Sequence, residues 1–460
     1  MTLSQNDNQP NLKYPRAERP RPFHPGSSVP SNFRQQSWVM IPRVTGVRTE
    51  LRDDSDRARD LRGPVVLFMA VAAAVGTAAI YPLQPAIADV AISLGSSTAA
   101  VGVALACGPA GYLVGLGLLV PLVDRFPPRF VLAAQFVALG VSIGATAAVS
   151  TSWLLGLCVL MSGLCSSVGA GLSSVAGRLS SAGRRATVLG IVTAGISAGI
   201  LAGRIAGGWL ADTVGWRGML LTLAVACLSI AGTALLVLPK VPGGTQSGYL
   251  ATLRSMPGLL VRFASLRLAA ARGTAWFFAF CAIWAGLAVT LSGPPYNYSA
   301  ERIGLYALAG LTGMIATQVA GILTDRHGAR TVILVGLTLA GVAAAALGFI
   351  PGSPGLMVLW LALFDAGLFA AQVANQSTVL AIDPRAPARF NSAYMIVYFV
   401  GGSLGTAFGA AAVAWIGWSG TAAVAVAAIA LGAAITCAAR SATRSNSEAD
   451  PSEPYTSRTR

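Results

Sequence analysis

Residues 331–350 read TVILVGLTLAGVAAAALGFI, without one charged side chain. Wound as a helix at about 1.5 Å per residue, such a run covers roughly 30 Å, the depth of bilayer hydrocarbon. Its apolar residues are continuous and show no period-two alternation, which argues for a helix over a barrel strand. Similar runs lie on both sides of it. Spans are expected near 64–86, 98–122, 130–150, 153–176, 187–211 and 217–238, then 273–293, 302–323, 331–350, 355–379, 390–413 and 418–438. Composition agrees, because 54% of the chain is hydrophobic and 11% is charged, against roughly 25% charged in soluble domains. So few charges cannot cover a water-facing surface. The expected class is an all-α membrane protein of twelve transmembrane helices.

A net charge of +15 raises the question of nucleic acid, and the distribution of the charge answers it. If the N-terminus is cytoplasmic, every lysine and arginine except Arg204, Arg217 and Arg302 falls in an inside segment. That bias sets both termini in the cytoplasm. The basic excess is therefore expected to be a topology signal and not a nucleic-acid footprint. All six cysteines (Cys107, Cys158, Cys165, Cys227, Cys281, Cys437) lie in apolar segments with no C-x-x-C pair, so neither a disulfide framework nor a zinc site is indicated.

The boundaries expected between domains follow composition. Residues 1–63 are rich in Arg, Pro, Ser and Asp, lack a signal-peptide apolar region, and are expected to be a disordered cytoplasmic tail. Met40 is a candidate alternative start. A six-helix unit over 64–238 is followed by a cytoplasmic connection at 239–272, amphipathic and basic around Leu253 to Leu268, where a short surface helix is expected. A second six-helix unit covers 273–438, and 439–460 forms a polar tail expected to be disordered. The two units echo one another. Asp124-Arg125 recurs as Asp325-Arg326, Gly215-Trp216 as Gly417-Trp418, and Arg185 as Arg389, all at a spacing of about 200 residues. Such duplication, with a site at the bilayer midplane, is the architecture of alternating access.

Between spans 8 and 9 the chain reads Gly321-Ile322-Leu323-Thr324-Asp325-Arg326-His327-Gly328-Ala329-Arg330. It resembles, position for position, the G-x-L-x-D-R-x-G-x-R loop of the major facilitator superfamily. The copy between spans 2 and 3 keeps Asp124, Arg125 and Arg129 but has Val120 and Pro127 where the family usually has glycine. In the family this loop aspartate is thought to pair with arginine and cap a helix of the opposite half in the outward-open state. The resemblance implies that Asp124 does so near the start of span 11, around Arg389; plain topogenic charge at a tight turn is the simpler alternative. In span 5, Gly190, Gly199, Gly203, Gly207 and Gly208 resemble the antiporter motif of drug:proton exchangers in the superfamily, with Arg204 in place of its proline. The four-residue spacing also suits ordinary close helix packing. The stretch from Leu363 to Gly402 resembles bacterial sugar or drug efflux permeases. The implied fold is two pseudo-symmetric six-helix bundles.

Asp365 is the sharpest candidate for chemistry. It lies roughly 15 Å into span 10 and cannot snorkel, so it must be paired, protonated or facing water. Gln372 and Gln376 follow on nearly the same face, with Asn375 to the side. This stripe is expected to line a central cavity, with Asp365 exchanging protons; a structural hydrogen-bonding role is the alternative. Arg204 lies roughly 10 Å from the outer end of span 5, and either snorkels or serves the cavity. The family's usual span 4 arginine is absent, with Cys165 near its position. Gln84, Gln135 and Gln318 are isolated amides in spans, and Tyr112, Trp284, Trp360, Tyr394 and Tyr398 are candidate cavity walls. Trp153, Trp216, Trp418, Tyr296 and Tyr298 fall at outer ends and are expected to anchor at the interface.

No nucleophile cluster, metal set or nucleotide-binding loop stands out, so an enzyme is not expected. The expectation is a monomeric, proton-coupled exporter of a drug, sugar or metabolite in a bacterial inner membrane, using a proton gradient and no cofactor. Uptake of a small solute and a transporter-derived sensor remain open alternatives.

Overall fold

A computed structural model describes residues 61–181, 183–242, 257–349, 353–383 and 387–448. Of the expected segments, nearly all of the N-terminal tail, the middle of the 239–272 connection and the end of the C-terminal tail lie outside them. The described residues are helical throughout, without a strand.

Among the described residues, nine helices are long and apolar enough to cross a membrane, and Gly63–Ala78 is a shorter apolar one. Two of the nine are not single rods. Arg185–Val237 has 53 residues and Pro387–Glu448 has 62, about 80 to 90 Å of helix where about 30 Å suffices. Each is broken at a glycine with positive φ, Gly215 (φ 73°) and Gly417 (φ 72°), a conformation that side chains avoid. These are the two Gly-Trp repeats read from the sequence. Counting each break as a turn makes eleven rods of the nine among the described residues, and the shorter Gly63–Ala78 would be the twelfth.

The packing repeats as well. Span 5 lies along span 1, with Gly195, Gly199 and Gly203 against the backbone of Ala70, Ala74 and Ala78, and Gly207 against Pro82. Span 11 lies along span 7 (Ala264–Ser292) in the same manner, Gly401, Gly405 and Gly409 against Thr274, Phe278 and Ala282. A Cβ at any of these glycines would overlap its neighbour. In lipid, where hydrophobic burial drives little association, such close approach is what holds helices together.

Several elements depart from the expected bounds. Span 1 stops at Ala78 and resumes as Ile87–Ser93, because Pro82 and Pro85 in the stretch between cannot continue a helix. Span 7 begins at Ala264, so Arg272 belongs to the helix and not to the connection, and residues 257–262 are helical just before it. The last helix runs to Glu448, so the expected disorder from 439 does not begin there. Trp216 and Trp418 are buried, not interfacial, and the Trp418 indole donates to the Leu347 carbonyl at 2.8 Å. Trp153 is exposed as expected.

The bundle has two ends. Residues near 125, 180, 264, 327 and 383 mark one, termed the tail end; residues near 95, 150, 215, 300 and 417 mark the other, the far end. At the far end the halves meet closely. Gly102 lies against Ala410, Gly208 against the Ala300 carbonyl, and a Cβ at Gly304 would fall 2.5 Å from the Arg204 carbonyl oxygen. Asp212 completes this closure, its carboxylate accepting the backbone N–H groups of Ala300 (3.1 Å) and Glu301 (2.9 Å). Asp212 of one half thus holds the first two N–H groups of the helix Ala300–Leu305 of the other, beside that helix's own N-cap, Ser299.

Candidate functional site

The broken backbone of span 1 carries Tyr81 and Gln84 to the boundary between the halves. There they line a cavity of two lobes, about 40 Å³ and about 200 Å³, that share Tyr81, Phe277, Phe280 and Phe399. Irregular backbone at membrane depth is tolerated where it is buried in protein or lines a cavity.

Arg204 lines the smaller lobe and is only 5% exposed. It does not snorkel. Its Nε donates to Gln84 Oε1 at 2.8 Å, and its guanidinium carbon lies 4.3 Å from the Trp284 ring centroid and 4.9 Å from that of Tyr81. The position that the related motif fills with proline here lies in an unbroken helix up to Gly215. On its other side Trp284 donates its indole N–H to Asp365 Oδ1 at 3.2 Å. Gln84, Arg204, Trp284 and Asp365 therefore form one chain of contacts running from the N-terminal half into the C-terminal half. Asp365 is 1% exposed and stands behind the cavity wall, close to Gly310.

The stripe expected below Asp365 is only partly a cavity lining. Gln372 lines the larger lobe, as does Tyr398, but Gln376 is turned to Asn391 at 2.8 Å. Asn375 and Tyr394 are wholly buried and join a cluster that the sequence did not reveal. Arg272 donates through Nε to Asn375 Oδ1 (2.6 Å) and through a terminal nitrogen to Thr378 Oγ1 (3.1 Å). Asn375 in turn donates to Tyr394 Oη (3.2 Å), which donates to Gln372 Oε1 (2.7 Å). Among the described residues no carboxylate lies within ion-pair reach of Arg272, so a buried cation is held by neutral acceptors alone. This cluster ties spans 7, 10 and 11 within one half and touches the cavity through Gln372.

Other candidates are dispersed. Gln135 is buried inside the N-terminal half, neither of its amide atoms having a partner, and Gln318 is exposed. Tyr112 packs on Phe399 with ring centroids 4.7 Å apart, across the halves. Trp360 is half-buried, its indole nitrogen unpartnered. At the tail end Asp124 is bound by Arg178 of its own half at 3.1 Å, and Arg178 also donates to the Val123 carbonyl (3.0 Å). In this conformation the aspartate is thus engaged away from span 11. Arg125 and Arg129 lie near Phe126 and Phe130. In the second copy Asp325 and Arg326 are exposed, and Arg330 donates to the Cys437 carbonyl at 3.3 Å. Gly328 ends the helix before it with φ 81°, its N–H bonded to the Thr324 carbonyl, whereas Pro127 cannot take that conformation and turns at φ −56°. Gly321 and Gly190 mark no close approach.

The profile of the Major Facilitator Superfamily matches residues 66–317 and 294–458. The chain belongs to the major facilitator superfamily. It is 29% identical over 360 residues to the uncharacterised transporter YgaY of Escherichia coli O157:H7, covering 78% of this chain and 91% of that one. It is 32% identical to "Probable transporter SCO4007" of Streptomyces coelicolor, over 76% of this chain and 82% of that one. An MFS-type efflux pump of Mycolicibacterium smegmatis is 30% identical over 39% of this chain and 44% of its own. Among solved structures, the fold matches an inward-facing, unoccupied bacterial homologue of the human lysosomal transporter Spinster (TM-score 0.70, 15% identity, 82% of this chain and 96% of that one). It also matches the nucleoside transporter NupG (TM-score 0.66, 13% identity, 81% and 99%). This major facilitator is a multi-pass membrane transporter and not an enzyme.

Proposed function

We propose that the chain is a proton-coupled exporter of a small organic solute, working by alternating access in a bacterial inner membrane with both termini cytoplasmic. The positive-inside charge distribution supports that orientation, and makes the tail end cytoplasmic and the far end periplasmic. The closure at Gly102, Gly208 and Asp212 then corresponds to an inward-facing state.

The observation that carries the proton coupling is the chain Gln84–Arg204–Trp284–Asp365. Its one carboxylate is buried in one half, and its one cation is buried in the other. With Asp365 charged, the low-dielectric core holds opposite charges on one indole, Arg204 over its ring and Asp365 at its N–H. Protonation removes the negative partner and leaves Arg204 to find another, which weakens one tie between the halves. A carboxylate this deep in a membrane costs enough to retain that a function is the default reading. Export is favoured over uptake by the resemblance of residues 363–402 to efflux permeases and by the efflux-pump relative. In proteoliposomes, Asp365→Asn should abolish solute movement driven by a pH gradient while leaving solute counterflow intact. Wild-type coupling in that variant would remove Asp365 from the mechanism.

A further inference from the structure

The charge and shape of the cavity narrow its solute. Arg204 is the charged side chain among the residues that line either lobe. Its guanidinium carbon lies 4.3 Å from the Trp284 ring centroid and 4.9 Å from that of Tyr81, and its Nε is taken by Gln84. What remains is the edge of the fork bearing the two terminal nitrogens, which have no hydrogen-bond acceptor among the described residues. An in-plane pair of N–H donors beside aromatic rings suits a carboxylate, which it can bind bidentately. A cationic solute would meet this buried cation at low dielectric, and Asp365 gives it no counter-charge because it is 1% exposed, stands outside the lining and is engaged by Trp284. The rest of the lining is aromatic. Phe277 and Tyr398 stack with centroids 4.0 Å apart, forming a wall of the larger lobe, against which a flat ring can lie.

We propose that the cavity takes a planar aromatic organic acid, its carboxylate on the free edge of Arg204 and its ring system against the Phe277–Tyr398 wall. This rests on the reading of the cavity as the transport site. The test uses the full chain in lipid nanodiscs and three probes of one shape: 2-naphthoate, neutral 2-naphthamide and cationic 2-naphthylmethylammonium, with affinities from calorimetry. For the native chain, naphthoate should bind at least about tenfold more tightly than either analogue, as expected for charge-assisted hydrogen bonds. Arg204→Gln should erase that preference, and Arg204→Lys, which keeps the charge without the fork, should retain only part of it. The three-probe comparison on the native chain needs no variant to fold. Equal or tighter binding of the amide or the ammonium, or no naphthoate binding up to about 1 mM, overturns the assignment. Naphthoate that binds with the expected preference but is never moved across proteoliposomes sinks the transport reading and leaves the acid site standing. Export of cations with no preference for naphthoate does the reverse.

Discussion

Two aspartates near helix ends, Asp212 at the far end and Asp124 at the tail end, use the same chemistry with opposite reach. Asp212 crosses between the halves and caps the helix Ala300–Leu305. Asp124 stays in its own half, paired with Arg178 through side chains that are 48% and 32% exposed. A cap of this kind contributes about 1 kcal/mol, whereas a half-exposed ion pair contributes from about 0 to 1 kcal/mol. The difference teaches that the far end is the latched end in this conformation. The tail-end aspartate is expected to reach its cross-half partner only after the halves rock.

That contrast can be broken most forcefully where backbone meets backbone. Gly304→Leu places side-chain atoms against the Arg204 carbonyl, which cannot yield. An overlap of about 3 kcal/mol should raise the labelling of Cys281, which lines the smaller lobe, by roughly a hundredfold when an impermeant maleimide reaches the far end. The reporter is a variant that keeps only that cysteine. A second substitution sharpens the contrast by acting inside one half. Asn375→Ala removes one of the two neutral acceptors of the buried Arg272 and should cost about 2 kcal/mol of thermal stability, while labelling of Cys281 stays unchanged. Next comes Asp212→Ala, which forfeits the cross-half cap; labelling should rise by about three- to tenfold. The smallest effect is expected for Asp124→Asn, which loses only the pair with Arg178, so the labelling rate should move less than about threefold. If Asp124→Asn opened the far end more than Asp212→Ala did, the assignment of the latch would be reversed.

Much of this was legible in the sequence, and the reasons are local. A run without charges declares a membrane rod. The Gly215-Trp216 and Gly417-Trp418 pairs declared the repeat, but that each glycine breaks its rod at positive φ came only from the backbone. Asp365 stood out because a carboxylate so deep is rare. Arg272 was hidden by the same logic, since a basic residue near a span end reads as a topogenic charge, and only the earlier start of the helix at Ala264 puts it under cover. Asp212 gave no signal because a cap donated from another half is a tertiary event. The Pro82 and Pro85 break was visible in composition, but hydropathy alone ran the span through it, and the break is what turns Tyr81 and Gln84 toward Arg204. The span 5 glycines illustrate a further limit. Gly199, Gly203 and Gly207 have twins in Gly401, Gly405 and Gly409 that pack on span 7 in the same way, so the stripe is accounted for by the repeat architecture before any direction of transport is invoked.

The halves are latched at the far end and are expected to exchange that latch for one at the tail end. Spin labels on Val214 and Glu301 report the first gap, and labels on Arg125 and Arg326 report the second. Distances measured by electron–electron double resonance in nanodiscs should show a short far-end separation in the resting protein. On lowering the pH so that Asp365 takes up its proton, the far-end distance should lengthen as the tail-end distance shortens. Two distances that stay fixed, or that lengthen together, would contradict the account.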